Sequence, residues 1–176
     1  VECEIEKLKN GILLAEKITG RNLTLPVLSS ILLEASNKVL KLKAMNLSLG
    51  VAIEIPAKVE QEWTLAISGN ALASVFTNIV QKENIILTGE EGNLSIKTKK
   101  NKIKLKGMSY EDFPTIPNVS GESFEIESKK LVEGIKAVYY SASPSDIKPE
   151  ISSVYIYSEN DNLVFVSTDS FRLAEK

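Results

Sequence analysis

The amino-acid sequence contains one pattern twice, at a constant separation of 123 residues, as between Leu8 and Leu131. The register holds without a gap through a helical segment, a loop, a strand, a turn and a second strand. Other matched positions are Gly11 and Gly134, Ile12 and Ile135, Pro26 and Pro149, Ser29 and Ser152, Asn37 and Asn160, and Leu40 and Leu163. Chance similarity rarely preserves such a series, so we predict a tandem duplication whose second copy ends after its second or third strand.

The first copy alternates between two kinds of hydrophobic periodicity. Residues 1–6 alternate apolar and acidic side chains, which predicts a strand, and residues 7–19 carry an apolar stripe of helical spacing. A second helix is predicted over residues 71–80, capped by residues 68–70. Short alternating segments predict strands over residues 27–34, 39–43, 48–55, 63–67, 84–88, 94–98 and 102–106. Each half of this unit is therefore expected to be a strand, a helix and a meander.

Two prolines without periodicity, Pro114 and Pro117, mark residues 112–121 as a linker between domains. After it, Glu125 and Glu127 alternate with apolar residues, which predicts a strand that opens the second copy. We predict an α+β fold of repeated strand–helix–meander units, with helices on one face of antiparallel sheets. The expected domains are residues 1–118 and an incomplete second domain, residues 119–176.

Composition excludes several kinds of site. The chain has no histidine, which removes Ser-His-Asp and Cys-His nucleophile systems and imidazole metal ligands. Its single cysteine, Cys3, cannot form an internal disulfide, and a cytoplasmic chain is the simplest interpretation. No apolar run predicts a membrane span, and no signal-peptide pattern opens the sequence. The start at Val1 and the end just after a strand favour a fragment of a longer chain.

Three short motifs follow one another along this repeat. Residues 25–33 read LPVLSSILL, residues 110–114 read YEDFP, and residues 167–174 read STDSFRLA. Together with the repeat they resemble the first-domain, linker and second-domain signatures of the bacterial DNA polymerase III beta subunits, the sliding clamps. The resemblance covers essentially the whole chain. It implies three such domains per chain and two chains closed head-to-tail into a ring. Of the three domains, this chain would hold the first and part of the second.

The resemblance implies a DNA sliding clamp, a processivity factor that encircles duplex DNA without reading its sequence. Such a ring needs only modest phosphate contacts, because leaving DNA requires opening it and tight contacts would hinder sliding. The family implies no catalysis, no cofactor and no metal. Its expected partners are double-stranded DNA, a second copy in a homodimer, and the polymerase catalytic subunit and the clamp loader, which bind through short peptide motifs.

The resemblance also assigns residues to three surfaces. The DNA contacts would be Lys9, Lys17, Arg21, Asn22, Asn70 and Lys148, with Asn70 and Lys148 at positions where a basic residue is frequent. The partner-peptide groove would be lined by Ile151, Thr168, Ser170, Phe171, Arg172 and Leu173, and the family often has glycine in place of Ser170. The subunit edge of the homodimer would include Phe76, Lys102, Ile103 and Leu105.

The residues alone leave other interpretations open. Lysines on the predicted helices could be ordinary solvated faces, and those of residues 102–106 could only guard a strand edge against aggregation. Glu125 and Glu127 could resemble an acid–base pair, but no glycine-rich phosphate loop accompanies them, so an enzyme is not favoured. The alternative to a clamp is a non-catalytic structural or interaction module of repeated α+β units.

Overall fold

The computed structural model describes the chain except residues 21–24, 80–83, 100, 118–119, 122, 124, 146 and 161. It divides into two compact units, Val1–Asn118 and Val119–Lys176. None of the described helices is long and apolar enough to cross a membrane.

The first unit repeats one arrangement along the chain. Its first half consists of β1 (Glu2–Cys3), α1 (Ile5–Ile18), β2 (Ser30–Ser36), β3 (Val39–Met45) and β4 (Gly50–Lys58). Its second half consists of β5 (Trp63–Ser68), α2 (Gly69–Asn78), β6 (Ile85–Glu90), β7 (Asn93–Lys97) and β8 (Lys102–Lys106). Each half is a strand, a helix and a three-stranded meander, which confirms the predicted order of elements.

The strands of this unit form one antiparallel sheet in the order β5-β2-β3-β4-β1-β6-β7-β8. An isolated bridge between Ala66 of β5 and Met108, just after β8, joins the two ends of that order. Side chains from α1, α2 and the strands share one core, whose fully buried members include Leu8, Ile12, Leu42, Leu72, Phe76 and Leu94. Burying one such side chain contributes roughly 1.5–3 kcal/mol, so this core supplies the main stabilisation of the unit.

Several predicted boundaries in the first unit are wrong, including that of β4, and three of the errors have a local cause. Ile5 belongs to α1 and not to the first strand, because its side chain is buried on the same helical stripe as Leu8. Pro26–Ser29 is a 3₁₀ helix that precedes β2, since Pro26 sets a helical φ at its first position. Helix α2 begins at Gly69, directly after Ser68, whose hydroxyl accepts a hydrogen bond from the Ala71 amide as the predicted cap.

The second unit consists of α3 (Ser128–Val138), β9 (Tyr155–Glu159), β10 (Asn162–Thr168) and β11 (Leu173–Glu175). Short 3₁₀ helices occupy Tyr139–Ser141 and Pro149–Ile151. The strands are antiparallel in the order β11-β10-β9, and α3 packs on them through a small core of Val138, Phe165 and Ala174. The predicted strand around Glu125 and Glu127 is wrong: these residues form no strand, and Glu127 is the residue before α3.

The internal repeat is confirmed at the level of single hydrogen bonds. After each first helix the chain closes the same loop: the Gly20 amide donates to Leu28 O, and the Ser143 amide donates to Ile151 O. Serine hydroxyls bond back into each 3₁₀ helix in the same register, from Ser29 to Pro26 O and Ser30 to Val27 O, and from Ser152 to Pro149 O and Ser153 to Glu150 O. The two units therefore share a local scaffold at the separation read from the sequence.

Candidate functional sites

Helices α1 and α2 run antiparallel and meet at their ends. A Cβ added to Gly69, at the start of α2, would lie 3.0 Å from Cγ2 of Thr19, at the end of α1. At the opposite ends, Lys9 Nζ donates to the carbonyl oxygens of Thr77 at 3.2 Å and Ile79 at 3.4 Å. The glycine at position 69 permits the close approach, and the lysine satisfies carbonyls that the helix end leaves without partners.

Two of the predicted DNA contacts lie at the junction of Thr19 and Gly69. Lys17 is exposed in the last turn of α1, and Asn70 is exposed in the first turn of α2. Among the described residues, none forms a hydrogen bond or ion pair with the Lys17 ammonium group. The free amide groups at the start of a helix also favour anions. Arg21 and Asn22 lie outside the described residues.

Lys9 and Lys148 have different surroundings. The Lys9 ammonium is half-buried and already occupied by the end of α2, a role that sequence reasoning missed because the acceptor on Thr77 is 68 positions away. Lys148 is exposed in the second unit, directly before the 3₁₀ helix Pro149–Ile151, and its carbonyl accepts a hydrogen bond from the Ile151 amide. A DNA contact by Lys9 would therefore compete with its structural role, whereas the Lys148 side chain faces solvent.

The predicted peptide groove is centred on the turn between β10 and β11. Asp169 Oδ1 accepts the amides of Phe171 at 3.0 Å and Arg172 at 2.9 Å, and its Oδ2 accepts Arg172 Nε at 2.9 Å. The Thr168 hydroxyl donates to Arg172 O at 2.7 Å and accepts the Ser170 amide at 3.1 Å. The amide hydrogen bonds from Arg172 and Phe171 hold the pKa of Asp169 below its ordinary value of 3.8, because they favour the carboxylate.

This turn presents apolar side chains to solvent. Phe171 is 98% exposed and Leu173 is 66% exposed, while Ile151 is half-buried in its 3₁₀ helix. Ser170 has a φ of 76°, a left-handed conformation that glycine adopts at lower cost, as does its counterpart Leu47 in the first unit. Part of the Arg172 guanidinium is already engaged within the turn, because Asp169 Oδ2 accepts a hydrogen bond from its Nε.

The predicted subunit edge, β8, pairs with β7 on one side only among the described strands. Ile103 and Leu105 are half-buried against the core of the unit, and Lys102, Lys104 and Lys106 point to solvent. Phe76, predicted as part of this edge, is fully buried. It therefore supports the fold from within and presents no surface to a partner.

The outer face of the strands differs between the two units. In the first unit it carries ion pairs across the strands, from Lys43 to Glu34 at 2.8 Å and from Lys41 to Glu54 at 2.7 Å. In the second unit the positions of Glu34, Lys41 and Lys43 are taken by Tyr157, Val164 and Val166. The Tyr155 and Tyr157 rings stack there with centroids 5.4 Å apart. Sequence reasoning missed this surface, whose signal is the run Tyr-Ile-Tyr at residues 155–157.

Cys3, the single cysteine, is buried in the core of the first unit with a free thiol. Burial raises its pKa to about 11, because the thiolate loses its hydration there. Among the described residues, no group of three or more His, Cys, Asp or Glu side chains is placed to hold a metal ion.

Comparison with known proteins decides the family. The model of the DNA polymerase III beta subunit, N-terminal domain, matches residues 1–117, and the model of the central domain matches residues 125–176. The chain belongs to the DNA polymerase III beta subunit family. The two matched segments correspond in order to the two compact units of the structure.

Curated relatives of this beta-subunit chain are named beta sliding clamps. Those of Synechocystis sp. and Treponema pallidum are each 26% identical to it, over 98% of the chain. The matches cover 46% and 47% of those relatives, so the chain spans about half their length.

Solved structures of beta subunits share the fold. A putative DNA polymerase III beta subunit from Eubacterium rectale superposes with a TM-score of 0.91 at 23% identity, and the Thermotoga maritima beta subunit with 0.89 at 24% identity. Each superposition covers 99% of this chain and 48% of the other. At these identities the likeness concerns the fold, and it confirms the predicted clamp fold.

Proposed function

We propose that this chain is part of a DNA sliding clamp, a non-catalytic processivity factor that acts on cytoplasmic DNA. The observation that carries the proposal is the repeated scaffold within a beta-subunit chain, with the loop hydrogen bonds of Gly20 and Ser143 in one register. Copies of one unit can close into a ring, because every junction between neighbouring copies then joins the same two kinds of surface head-to-tail. The ring links to duplex DNA by topology, so strong sequence-reading contacts are unnecessary.

The proposed DNA contact is the junction of α1 and α2, where Lys17 and Asn70 are both exposed. A lysine ammonium and helix amides bind phosphate oxygens without distinguishing bases. Arg21 and Asn22 follow α1 in the sequence and belong to the same proposed contact. Lys148 would supply a further phosphate contact from the second unit.

The proposed partner site is the β10–β11 turn, with Ile151, Thr168, Ser170, Phe171, Arg172 and Leu173. Its exposed Phe171 and Leu173 side chains suit the apolar anchors of short peptides from the polymerase catalytic subunit and the clamp loader. The ordered turn limits the conformational entropy that binding would cost, because Asp169 already fixes the backbone of Phe171 and Arg172.

The proposed homodimer contact is the free edge of β8. An unpaired strand edge can extend its sheet with a strand from a second copy, and Lys102 and Lys104 would then meet acidic side chains. When the edge is unpaired, the same lysines disfavour aggregation through it, because their charges repel a second identical edge. Ile103 and Leu105 set the register, because their side chains are fixed in the core of this unit.

The test is retention on DNA of the protein expressed from its own complete reading frame. We expect it to remain on a nicked circular plasmid through gel filtration once a clamp loader has placed it there. Cutting the plasmid with a restriction enzyme should release it, because a topological link needs an endless duplex. Equal retention on circular and linear DNA would contradict encirclement and favour an interaction module of repeated α+β units.

A further inference from the structure

Lys9 links α1 to the far end of α2. Its ammonium group donates to Thr77 O at 3.2 Å and to Ile79 O at 3.4 Å, which are 68 and 70 positions away in the sequence. Lys9 is half-buried, so part of its hydrocarbon stem packs on the protein while the ammonium reaches the two carbonyl groups. The contact therefore joins two helices that four strands separate in the chain.

Helix α2 has no cation of its own at that end. Its ten residues, Gly69–Asn78, include no charged side chain. In contrast, α1 carries Lys17 and α3 carries Lys136 in the last turn. The carbonyl groups at a helix C-terminus bear partial negative charge and lack intrahelical partners, so a cation there stabilises the helix. Lys9 supplies this cation to α2 from the neighbouring helix.

The Lys9 contact is one of two attachments between the helices, and the two lie at opposite ends of α2. At the start of α2, the close approach of Gly69 to Thr19 fixes its position beside the end of α1. Between the attachments, Leu72 and Phe76 are fully buried in the shared core. A helix of this length extends about 15 Å, so attachments at both ends determine its direction as well as its position.

The direction of α2 matters for the proposed DNA contact, because that contact combines groups from both helices. Lys17 lies in the last turn of α1, and Asn70 lies in the first turn of α2. A binding surface shared by two helices depends on the angle between them. We infer that Lys9 is a positioning residue: it holds α2 so that Asn70 stays at the junction with Lys17, and it makes no phosphate contact itself. The inference rests on the proposed DNA contact.

The surroundings of the two lysines support this division of roles. The positive charge of Lys9 is partly offset by the negative end of α2, and moving its ammonium onto a phosphate would take a donor away from Thr77 O and Ile79 O. Lys17 is exposed and has no such partner among the residues that the structure describes. The phosphate contact therefore falls to Lys17.

The experiment combines amide hydrogen exchange with DNA binding, on the protein expressed from its complete reading frame. Lys9→Met keeps the length of the side chain without its charge, and Lys9→Arg keeps a cationic donor. Lys7→Met is the matched control, because it removes another lysine of α1 that pairs with Glu4 at 2.9 Å and makes no contact with α2.

We expect Lys9→Met to speed the exchange of the Thr77 and Asn78 amides about fivefold, because the last turn of α2 loses its cation. Its affinity for a linear duplex, measured by fluorescence anisotropy, should fall about threefold, since binding must then also order α2. The slope of log affinity against log salt should stay at the wild-type value, because no phosphate contact is lost. Lys9→Arg should restore the exchange and the affinity, and Lys7→Met should change neither.

A salt slope reduced by about 1 in Lys9→Met would overturn the inference, because Lys9 would then contact a phosphate directly. Faster exchange with unchanged affinity would also overturn it, since the link between the helices would then serve stability alone. In both cases the wild-type protein still binds DNA, and the proposed function stands. If the wild-type protein itself does not bind the duplex, the proposed DNA contact fails and the inference fails with it.

Discussion

Gly134 of α3 lies so close to Phe165 of β10 that a Cβ on the glycine would be 2.4 Å from the ring carbon Cε2. The equivalent pair in the first unit is Gly11 and Leu42, where the same construction gives 2.9 Å to Leu42 Cδ1. In both units the glycine lets the helix approach the middle strand of the meander that follows it, which is β3 in the first unit and β10 in the second. The absence of a side chain at these two positions therefore sets the helix-to-sheet distance.

Gly134→Ala should destabilise the second unit by about 1–3 kcal/mol, because the new methyl group overpacks a rigid aromatic ring. Gly11→Ala is the matched control and should cost less, since the end of a leucine side chain can move aside. Hydrogen exchange of peptides from residues 125–176 would measure the first effect, and that of residues 1–60 the second. Unchanged or slower exchange in Gly134→Ala would contradict the packing described.

The β10–β11 turn should lose order in acid. Its hydrogen bonds lower the pKa of Asp169 in the folded state, so their stabilisation is present above the ordinary value of 3.8 and is lost as the pH falls through the lower folded value. The amide signals of Phe171 and Arg172 should titrate together with a midpoint below 3.8. A midpoint at or above that value would contradict the geometry.

Asp169→Asn is the matched variant for this titration. In the first unit Asn46 occupies the same position and accepts the amides of Ser48 and Leu49 through its side-chain oxygen. The asparagine variant should therefore keep the turn, and the acid-dependent shift of the Phe171 amide should disappear.

Lys17→Ala should weaken binding to duplex DNA equally for all sequences. Removing one phosphate contact should reduce the slope of log affinity against log salt by about 1. The control is Lys41→Ala, which removes a lysine that is ion-paired to Glu54 on the outer face and should leave the slope unchanged. Fluorescence anisotropy across a salt series would measure both. A sequence-dependent loss, or an equal effect of the two variants, would contradict the proposed contact.

Cys3 should react slowly with thiol reagents in the folded protein. A pKa of about 11 instead of 9.0 reduces the thiolate fraction at pH 8 by about a hundredfold, and burial slows access further. Stopped-flow reaction with Ellman's reagent, with and without denaturant, would measure the ratio. The free energy of unfolding should also fall as the pH rises from 9.0 toward about 11, because over that range the unfolded state loses the thiol proton and the folded state keeps it. Rapid native reaction would show that the β1 segment opens readily.

Much of the fold could be predicted from local pattern. The β8 span Lys102–Lys106 and the cap at Ser68 depend on neighbouring residues, and the repeat is visible when the sequence is compared with itself. The structure confirms all three. The element boundaries that were predicted wrongly depend on tertiary contacts, which the hydrophobic periodicity of the sequence does not contain. Residues around Glu125 alternate as β1 does, but β1 is held between β4 and β6, and no described strand flanks Glu125. Alternation predicts a strand only where partners supply its hydrogen bonds.

The candidate sites were less predictable because they depend on long-range partners. The engagement of Lys9 by the α2 carbonyls and the burial of Phe76 follow from how α1 and α2 pack. The stacked pair Tyr155 and Tyr157 was missed because each tyrosine on its own is an ordinary strand residue. Only the comparison of Tyr157 with its counterpart Glu34 shows that the two copies differ there. The residue assignments of the DNA, peptide and dimer surfaces stay predictions.

Tandem copies of one scaffold risk exchanging strands while the chain folds, which is a characteristic failure of repeated domains. The residues that face the two helix glycines differ, since Leu42 faces Gly11 and Phe165 faces Gly134. This difference disfavours the exchange of strands between the two copies. If β10 docked on α1, the bulk of Phe165 would enter the space that Leu42 fills over Gly11, and Val166 would leave Glu34 without its cation. The sequence difference between the copies thus favours the packing of each helix on the strands of its own unit.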